Sequence, residues 1–338
     1  MPQKFYKKRW FKILAAAIII VVAVGGYFSW KTGNVLNKIS GSKNSVLGSL
    51  LGSGTAPQSD EGRINILLLG MRGVNMPGGG LLADSIMVAS FDTNNNKVAL
   101  ISVPRDLYVQ IPGTSERGKI NSVYAHWEGG GKGQGIPKME EMMGTITGLK
   151  IDHAVAINFN GFKQLIDTVG GVDVKLAKPF SEVKQFVEGK ECGGEFFLPA
   201  GTNHLSGDKA LCYSRARETT NDFDRAKRQQ IVLKALKDKL VSLGTLADFS
   251  KLNNILNIVG ANVKTDLTPD EMKGFYNQYS SMKEANLTQR VFENSEKGLL
   301  MVPEAGTGLG YVLIPRAGQD SYSAMQDACK NIFTQAAQ

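Results

Sequence analysis

The 338-residue chain carries a formal charge of +8, yet Lys4, Lys7, Lys8, Arg9 and Lys12 all fall within its first 12 residues, with no acidic residue among them. Removing those five leaves +3 for everything that follows, so the basicity reflects topology and excludes a nucleic-acid-binding surface as its explanation. Three cysteines, Cys192, Cys212 and Cys329, fit an exported domain. One disulfide between any two of them, or three buried thiols, are both compatible with that number.

Residues 1–12 read as a basic cytoplasmic tail, and 13–30 as a transmembrane helix, because an apolar run from Ile13 to Phe28 is bounded by Trp10 and Trp30. The stretch from Phe11 to Trp30 is about 20 residues long, enough to cross a hydrocarbon core of ~30 Å with the basic flank inside. A cleaved leader fits less well, since Gly25-Gly-Tyr-Phe-Ser-Trp30 is bulky and lacks a small-x-small site. The expectation is a single-pass protein of the cell membrane, N-terminus cytoplasmic and catalytic domain extracytoplasmic. Residues 31–62, rich in Gly, Ser, Asn and Lys, read as a flexible linker, and 63–335 as one large domain.

Within that domain Ile64–Leu69, Ser85–Phe91 and Lys97–Val103 are short, nearly continuous apolar runs, the pattern of strands buried on both faces. Asp92-Thr-Asn-Asn-Asn96 between the last two predicts a hairpin. Val155–Phe159, Gly161–Val169 and Val172–Leu176 suggest strand, helix and strand. Helices are expected over Asp224–Leu243 and Thr268–Tyr279, the latter opened by the capping box Thr268-Pro-Asp-Glu271. The predicted fold is a three-layer α/β/α sandwich on a mixed central sheet, preceded by one N-terminal transmembrane helix.

The chemistry concentrates in Tyr213–Gln230, where Arg215, Arg217, Arg225, Lys227 and Arg228 share one short segment. Arg215 and Arg217 would project from one face of an extended segment, and Arg225 and Gln229 from one face of a helix. A guanidinium offers paired N–H donors that match phosphate oxygens, so this arrangement suits a polyanion. Val103-Pro-Arg-Asp106 closes a core strand at the sheet edge, where open α/β sheets place ligands. Asp84 precedes another core strand, and Gly118-Lys-Ile-Asn121 follows a loop. His126, His153 and His204 have no metal-ligand spacing, Met139–Met143 reads as core packing or the lining of an apolar tunnel, and no Gly-x-Ser-x-Gly elbow points to a serine hydrolase.

Asp84-Ser85, Pro104-Arg-Asp106, Lys119-Ile-Asn121, Asn158-Phe-Asn-Gly-Phe162, Val169-Gly-Gly-Val-Asp173, Tyr213-Ser-Arg-Ala-Arg217 and Arg225-Ala-Lys-Arg-Gln-Gln230 occur in that order. This series resembles the extracellular domain of the LytR-CpsA-Psr family over roughly Arg63 to Gln335. The resemblance implies a phosphotransferase that moves a glycan phosphate from a polyprenyl pyrophosphate carrier onto peptidoglycan, at the membrane and with no nucleic-acid partner. It implies pyrophosphate contacts from Arg105, Lys119, Arg215, Arg217, Arg225 and Gln229, and a metal-ligand role for Asp84 with Mg2+ or another divalent cation. Asp84, Arg105 and Asp106 are the catalytic candidates. Two departures stand out: Met71-Arg72 occupies the place of a second acidic ligand, and Leu82 that of an arginine. Arg72 is therefore expected to add its own cation to the pyrophosphate site, weakening the expectation of tight metal binding. The Gly-rich loop Gly73–Gly80 is a further candidate phosphate cradle. A polyprenyl-phosphate-binding protein without turnover, a lipid pyrophosphate phosphatase and, least well supported, a transcriptional regulator are the alternatives.

Overall fold

Ile64, Ile66, Leu67 and Leu69 are buried along the first strand, and Ile86 to Ala89 and Phe91 along the second, so the two strands anchor the core. The computed structural model describes residues 62–74, 79–95, 97–186, 191–242, 260–268, 271, 286–304, 308 and 310–334. The expected tail, membrane span and linker up to residue 61 lie outside these, as do most of the Thr268–Tyr279 helix and part of the Gly73–Gly80 loop. Among the described residues no helix is long and apolar enough to cross a membrane.

Two compact units emerge, one formed by Gln58–Asn158 with Asn286–Gln338 and the other by Phe159–Ala285. The first begins with β1 (Arg63–Met71), β2 (Ala83–Asp92), β3 (Lys97–Ser102), β4 (Tyr108–Gln110), β5 (Arg117–Lys119), α1 (Asn121–Glu128), α2 (Gly135–Thr147) and β6 (His153–Asn158). The second contains α3 (Phe159–Thr168), β7 (Val172–Leu176), β8 (Phe180–Glu182), β9 (Phe196–Leu198), β10 (Gly201–Leu205), α4 (Gly207–Arg215), α5 (Asp222–Ser242) and β11 (Val263–Thr265). The chain then returns to the first unit with β12 (Asn286–Val291), β13 (Leu300–Met301), β14 (Ile314–Pro315) and α6 (Ser323–Lys330).

In the first unit the strands run in the order β6-β1-β2-β3-β12. β1–β2 and β2–β3 are antiparallel, whereas β6 and β12 lie parallel to β1 and β3, which makes the sheet mixed. The predicted hairpin joins β2 to β3: Asp92 Oδ1 accepts from the backbone N–H groups of Asn94 and Asn95 at 3.1 and 2.9 Å, an Asx-type turn that satisfies the tip. α1 packs on β2 and α2 on β6. Met139, Met142 and Met143 are buried on α2, and each such side chain contributes about 1.5–3 kcal/mol of transfer free energy.

In the second unit the predicted strand, helix and strand appear in order, but β7 pairs antiparallel with β10 and not with β6. A local reading of strand-helix-strand favours a parallel crossover, and the competing partner arrives from more than 20 residues downstream. Gly171, with φ +82°, ends the turn after α3, where a Cβ would meet His204 Nε2 at 2.5 Å; the left-handed backbone and the lack of space both require glycine. A second correction concerns Tyr213–Arg215, which is not extended but closes α4. Ser206 caps that helix by accepting from the Lys209 N–H at 3.4 Å, Asp208 sits in its first turn and Arg215 in its last, all of which suit the helix dipole. The Thr268 capping box is formed: the Thr268 N–H donates to Glu271 Oε2 at 2.9 Å and the Glu271 N–H to Thr268 Oγ1 at 3.3 Å.

Candidate active site

At the end of β1 the pairing with β2 skips a residue: Gly70 faces Ser85 and Met71 faces Ala83, leaving Asp84 between them without an opposite number. A bulge of this kind bends the strand and re-aims a side chain, and bulges recur beside active sites. β3 ends at Ser102, and the Val103 N–H still donates to the Ile86 carbonyl at 3.0 Å, so Pro104, Arg105 and Asp106 leave the sheet at the edge near the bulge. Pro104 cannot extend the ladder.

The consequence is a chain of alternating charges. Arg105 Nη1 donates to Asp84 Oδ1 at 2.7 Å, Arg105 Nε lies 3.6 Å from Asp106 Oδ2, and Lys119 Nζ donates to Asp106 Oδ1 at 2.5 Å. Asp106 is 5% exposed, and its backbone carbonyl accepts from the Leu313 N–H at 2.9 Å. Both of its carboxylate oxygens face a cation, an arrangement that fixes Arg105 and Lys119. Arg105 and Lys119 retain partial exposure, 18% and 39% of their side chains, so both are reachable from solvent. Arg72 directly follows β1, and Gly73 closes the loop beyond it by donating to the Gly80 carbonyl at 3.1 Å.

The second unit carries the other predicted residues. The Arg215 guanidinium lies over the rings of Phe159 and Phe186, 5.0 and 5.6 Å from their centroids, contacts worth about 0.5–2 kcal/mol. Asp222 Oδ1 receives Arg225 Nη1 at 2.8 Å and Arg217 Nη1 at 3.4 Å. Gln229 Nε2 donates to the Ser214 carbonyl at 3.2 Å. Arg228 is buried; it donates to the carbonyls of Tyr213 and Ala216 and, at 3.1 Å, to Thr220 Oγ1, so this member of the cluster ties α5 to the end of α4.

Sequence reasoning missed the supports. Gln185 bridges the two arginine positions, donating to the Arg215 carbonyl at 3.1 Å and accepting from the Arg217 N–H at 2.8 Å. Glu182, fully buried, accepts from Thr219 Oγ1 at 2.5 Å and from the backbone N–H groups of Thr219, Lys184 and Gln185. Burial opposes its charge most strongly of any single influence, but these hydrogen bonds together prevail and hold it below the ordinary carboxylate value. Neither residue stands in a recognisable motif; only the downstream arginines hint that something must orient them. Cys192 and Cys212 form a disulfide and Cys329 is a buried thiol. The bridge is attached to α4 three residues before Arg215.

A divalent ion requires several oxygen donors, and Mg2+ demands a near-octahedral set. Asp84 offers one carboxylate, an oxygen of which is committed to Arg105, and among the described residues no group of three or more His, Cys, Asp or Glu side chains could hold a metal. Among the described residues the protein's own side chains therefore do not make an all-protein cage for an ion.

The structure is a mixed α/β fold whose guanidinium groups are held on carboxylates, Arg105 on Asp84 and Arg225 on Asp222, an arrangement that suits phosphate oxygens. The chain belongs to the LytR_cpsA_psr family, which residues 30–311 match. It is 30% identical over 325 residues to a polyisoprenyl-teichoic acid–peptidoglycan teichoic acid transferase, TagU, of Bacillus mycoides (strain KBAB4), covering 93% of this chain and 94% of that protein. The TagV transferase of Bacillus subtilis (strain 168) is likewise 30% identical over 288 residues, covering 82% of this chain and 68% of that one. The crystal structure of B. subtilis TagV superposes with a TM-score of 0.60 at 26% identity, covering 82% of this chain and 100% of the other.

Proposed function

We propose that this chain is a phosphotransferase that attaches a polyprenyl-pyrophosphate-linked glycan to peptidoglycan through a phosphodiester bond. It is anchored in the cell membrane by residues 13–30, with 1–12 on the cytoplasmic side and a three-layer α/β/α catalytic domain outside. The observation that carries this reading is the Asp84–Arg105–Asp106–Lys119 chain, which holds cations at the edge of the sheet on fixed carboxylates. Membership of a family whose relatives are named as teichoic acid transferases supports it.

In the proposed reaction an acceptor hydroxyl of peptidoglycan attacks the glycan-bearing phosphorus. A new oxygen–phosphorus bond forms, the bond to the bridging oxygen breaks, and polyprenyl phosphate leaves with the proton that the acceptor lost. Charge accumulates on the non-bridging and leaving oxygens, and catalysis consists chiefly of meeting it with pre-placed cations. Arg105 and Lys119 are such cations in the sheet unit, and Arg215, Arg217, Arg225 and Gln229 are the pyrophosphate-contacting candidates of the second unit, each considered on its own. Asp84 and Asp106 hold Arg105 between them, and Asp106 anchors Lys119, so that the cations need not reorganise when charge develops.

Incubating the full-length protein in detergent with a lipid-linked sugar and a peptidoglycan oligomer tests the reading. Phosphodiester-linked glycan on the oligomer, with stoichiometric polyprenyl phosphate, is the expected outcome. Lipid phosphate with glycan phosphate on water identifies a phosphatase, and retention of intact lipid a binding protein.

A further inference from the structure

Lys119 is the last residue of a two-stranded ribbon whose other side chains take no part in the charge chain through Asp106. β4 and β5 pair antiparallel, with Tyr108 opposite Lys119, Val109 opposite Gly118 and Gln110 opposite Arg117. Directly opposed residues share a face and successive residues alternate between faces, so Tyr108, Gln110, Arg117 and Lys119 stand together on one side while Val109 is buried on the other. The Arg117 guanidinium lies over the Tyr108 ring, 5.4 Å from its centroid. A second ring comes from much further along the chain. Leu107 bridges Leu313, the Leu313 N–H donates to the Asp106 carbonyl at 2.9 Å, and the Tyr108 N–H donates to the Leu313 carbonyl at 2.8 Å. This stitching buries Val312 and Leu313, yet Tyr311 beside them is 51% exposed, and Lys119 Nζ stands 6.0 Å from the centroid of its ring. Beyond Tyr311, Gln319 Nε2 donates to the Tyr108 carbonyl at 3.1 Å, and Arg117 Nη2 to both carboxylate oxygens of Asp320 at 2.8 Å. All of these residues belong to the first compact unit.

An aromatic ring held at the surface by backbone bonds on a neighbouring residue gains little from burial, and it suits a ligand that is apolar on one face and polar at its edge. A sugar ring has that form: its C–H face packs on an aromatic ring, and its hydroxyl and amide groups seek donors and acceptors at the rim. The ribbon supplies them, with an exposed Gln110 amide, an Arg117 guanidinium 27% exposed and an Asp320 carboxylate 43% exposed. A lipid tail on this face would have to desolvate those charges, and a phosphate chain has no use for two rings. Resting on the phosphotransfer reading above, we propose that the outer face of β4 and β5, completed by Tyr311, is a saccharide subsite beside Lys119. Tyr311 stacks on the sugar, Gln110 and Arg117 bind its polar rim, and the sugar belongs to one of the two glycans that the reaction brings together, the peptidoglycan acceptor or the lipid-linked donor.

Calorimetric titration of the full-length protein in detergent decides this with three probes: a peptidoglycan tetrasaccharide carrying its stem peptides, a farnesyl-pyrophosphate-linked N-acetylglucosamine, and farnesyl pyrophosphate without a sugar. Tyr311→Ala should weaken binding of one of the two saccharide probes about fivefold or more, the loss of one aromatic contact, while Tyr311→Phe keeps it within about twofold because the ring remains. Weakening of the tetrasaccharide assigns the subsite to the acceptor, and weakening of the lipid-linked sugar assigns it to the donor. Farnesyl pyrophosphate should bind Tyr311→Ala as it binds wild type, and thermal melting should show an unchanged fold. Binding of both saccharides to Tyr311→Ala within about twofold of wild type overturns the proposal. Equal weakening of farnesyl pyrophosphate and its sugar-bearing form, with the tetrasaccharide unchanged, also overturns it, since Tyr311 would then act only through Lys119. Tyr311-dependent saccharide binding in a protein that releases no lipid phosphate under any condition defeats the phosphotransfer reading and leaves the subsite standing.

Discussion

Arg105 donates through Nη1 to Asp84 Oδ1 at 2.7 Å, joining the third residue beyond β3 to the bulged residue near the start of β2. A guanidinium held this way is already oriented and loses little entropy when a phosphate binds. Arg105→Ala should therefore lower kcat/KM for lipid-linked glycan by about 2–4 kcal/mol of barrier, the cost of removing one pre-placed transition-state donor. Arg105→Lys should recover only part of it, since an ammonium is a point charge without the planar fork. A rate within threefold of wild type for the alanine variant, in a protein of unchanged Tm, would refute the assignment.

Asp222 makes a different prediction because it serves two arginines of unequal burial. Arg225 is 9% exposed and Arg217 35%. Asp222→Asn weakens the balance of a buried charge, so a stability loss of about 2 kcal/mol is expected from denaturant titration. Arg217→Ala, at the more exposed end, should leave stability within about 0.5 kcal/mol and instead depress the transfer rate. If Arg217→Ala lowers Tm as far as Asp222→Asn does, Arg217 belongs to the scaffold.

The Cys192–Cys212 bridge spans a sequence separation of 20 and should restrict the unfolded chain by about 3 kcal/mol. Cys192→Ala combined with Cys212→Ala should lower stability by roughly that amount and raise KM for the lipid substrate more than it lowers kcat, because α4 then holds the Arg215 end less firmly. Peptide mapping without reductant should find the Cys192–Cys212 pair and leave Cys329 alkylatable only after unfolding: burial raises its thiol pKa to about 12.

Glu182 supplies an acid-side prediction. Its folded-state pKa lies below its ordinary value of 4.5, so the stability it contributes is fully present above that value and lost as pH falls through the lower folded-state value. Melting curves from pH 6 down to about 3 should show this acid loss in wild type and a weaker one in Glu182→Gln, which should already be less stable near pH 6 because the Thr219 contacts change. Parallel curves for the two proteins would assign the acid sensitivity to other carboxylates.

The core strands were legible because Ile64–Leu69 and Ser85–Phe91 are continuous apolar runs and Asp92–Asn96 is a turn that names itself. Asp84, Arg105 and Lys119 were legible as candidates by type and place in an ordered series of motifs. What escaped was longer in range. The pairing of β7 with β10 depends on a partner selected by tertiary packing, and the helix ending at Arg215 depends on the Ser206 cap, a signal present in the sequence but overshadowed by the downstream charges. Gln185 and Glu182 became meaningful only when folding brought them some 30 residues along the chain to Arg217 and Thr219. Support of that kind leaves no periodicity.

The order of the sheet also has a consequence for how the protein is made. β12, which completes the β3 edge through a parallel ladder from Asn286 to Val291, arrives only after the whole Phe159–Ala285 unit has been synthesised. Until then β3, with Val98 to Ile101 buried in the finished fold, presents an open edge of unpaired N–H and C=O groups, a template for adhesion between nascent chains. Chains truncated before residue 286 should therefore accumulate as aggregates rather than as smaller active enzymes, and biogenesis should depend on holding the early strands apart until the late one is delivered.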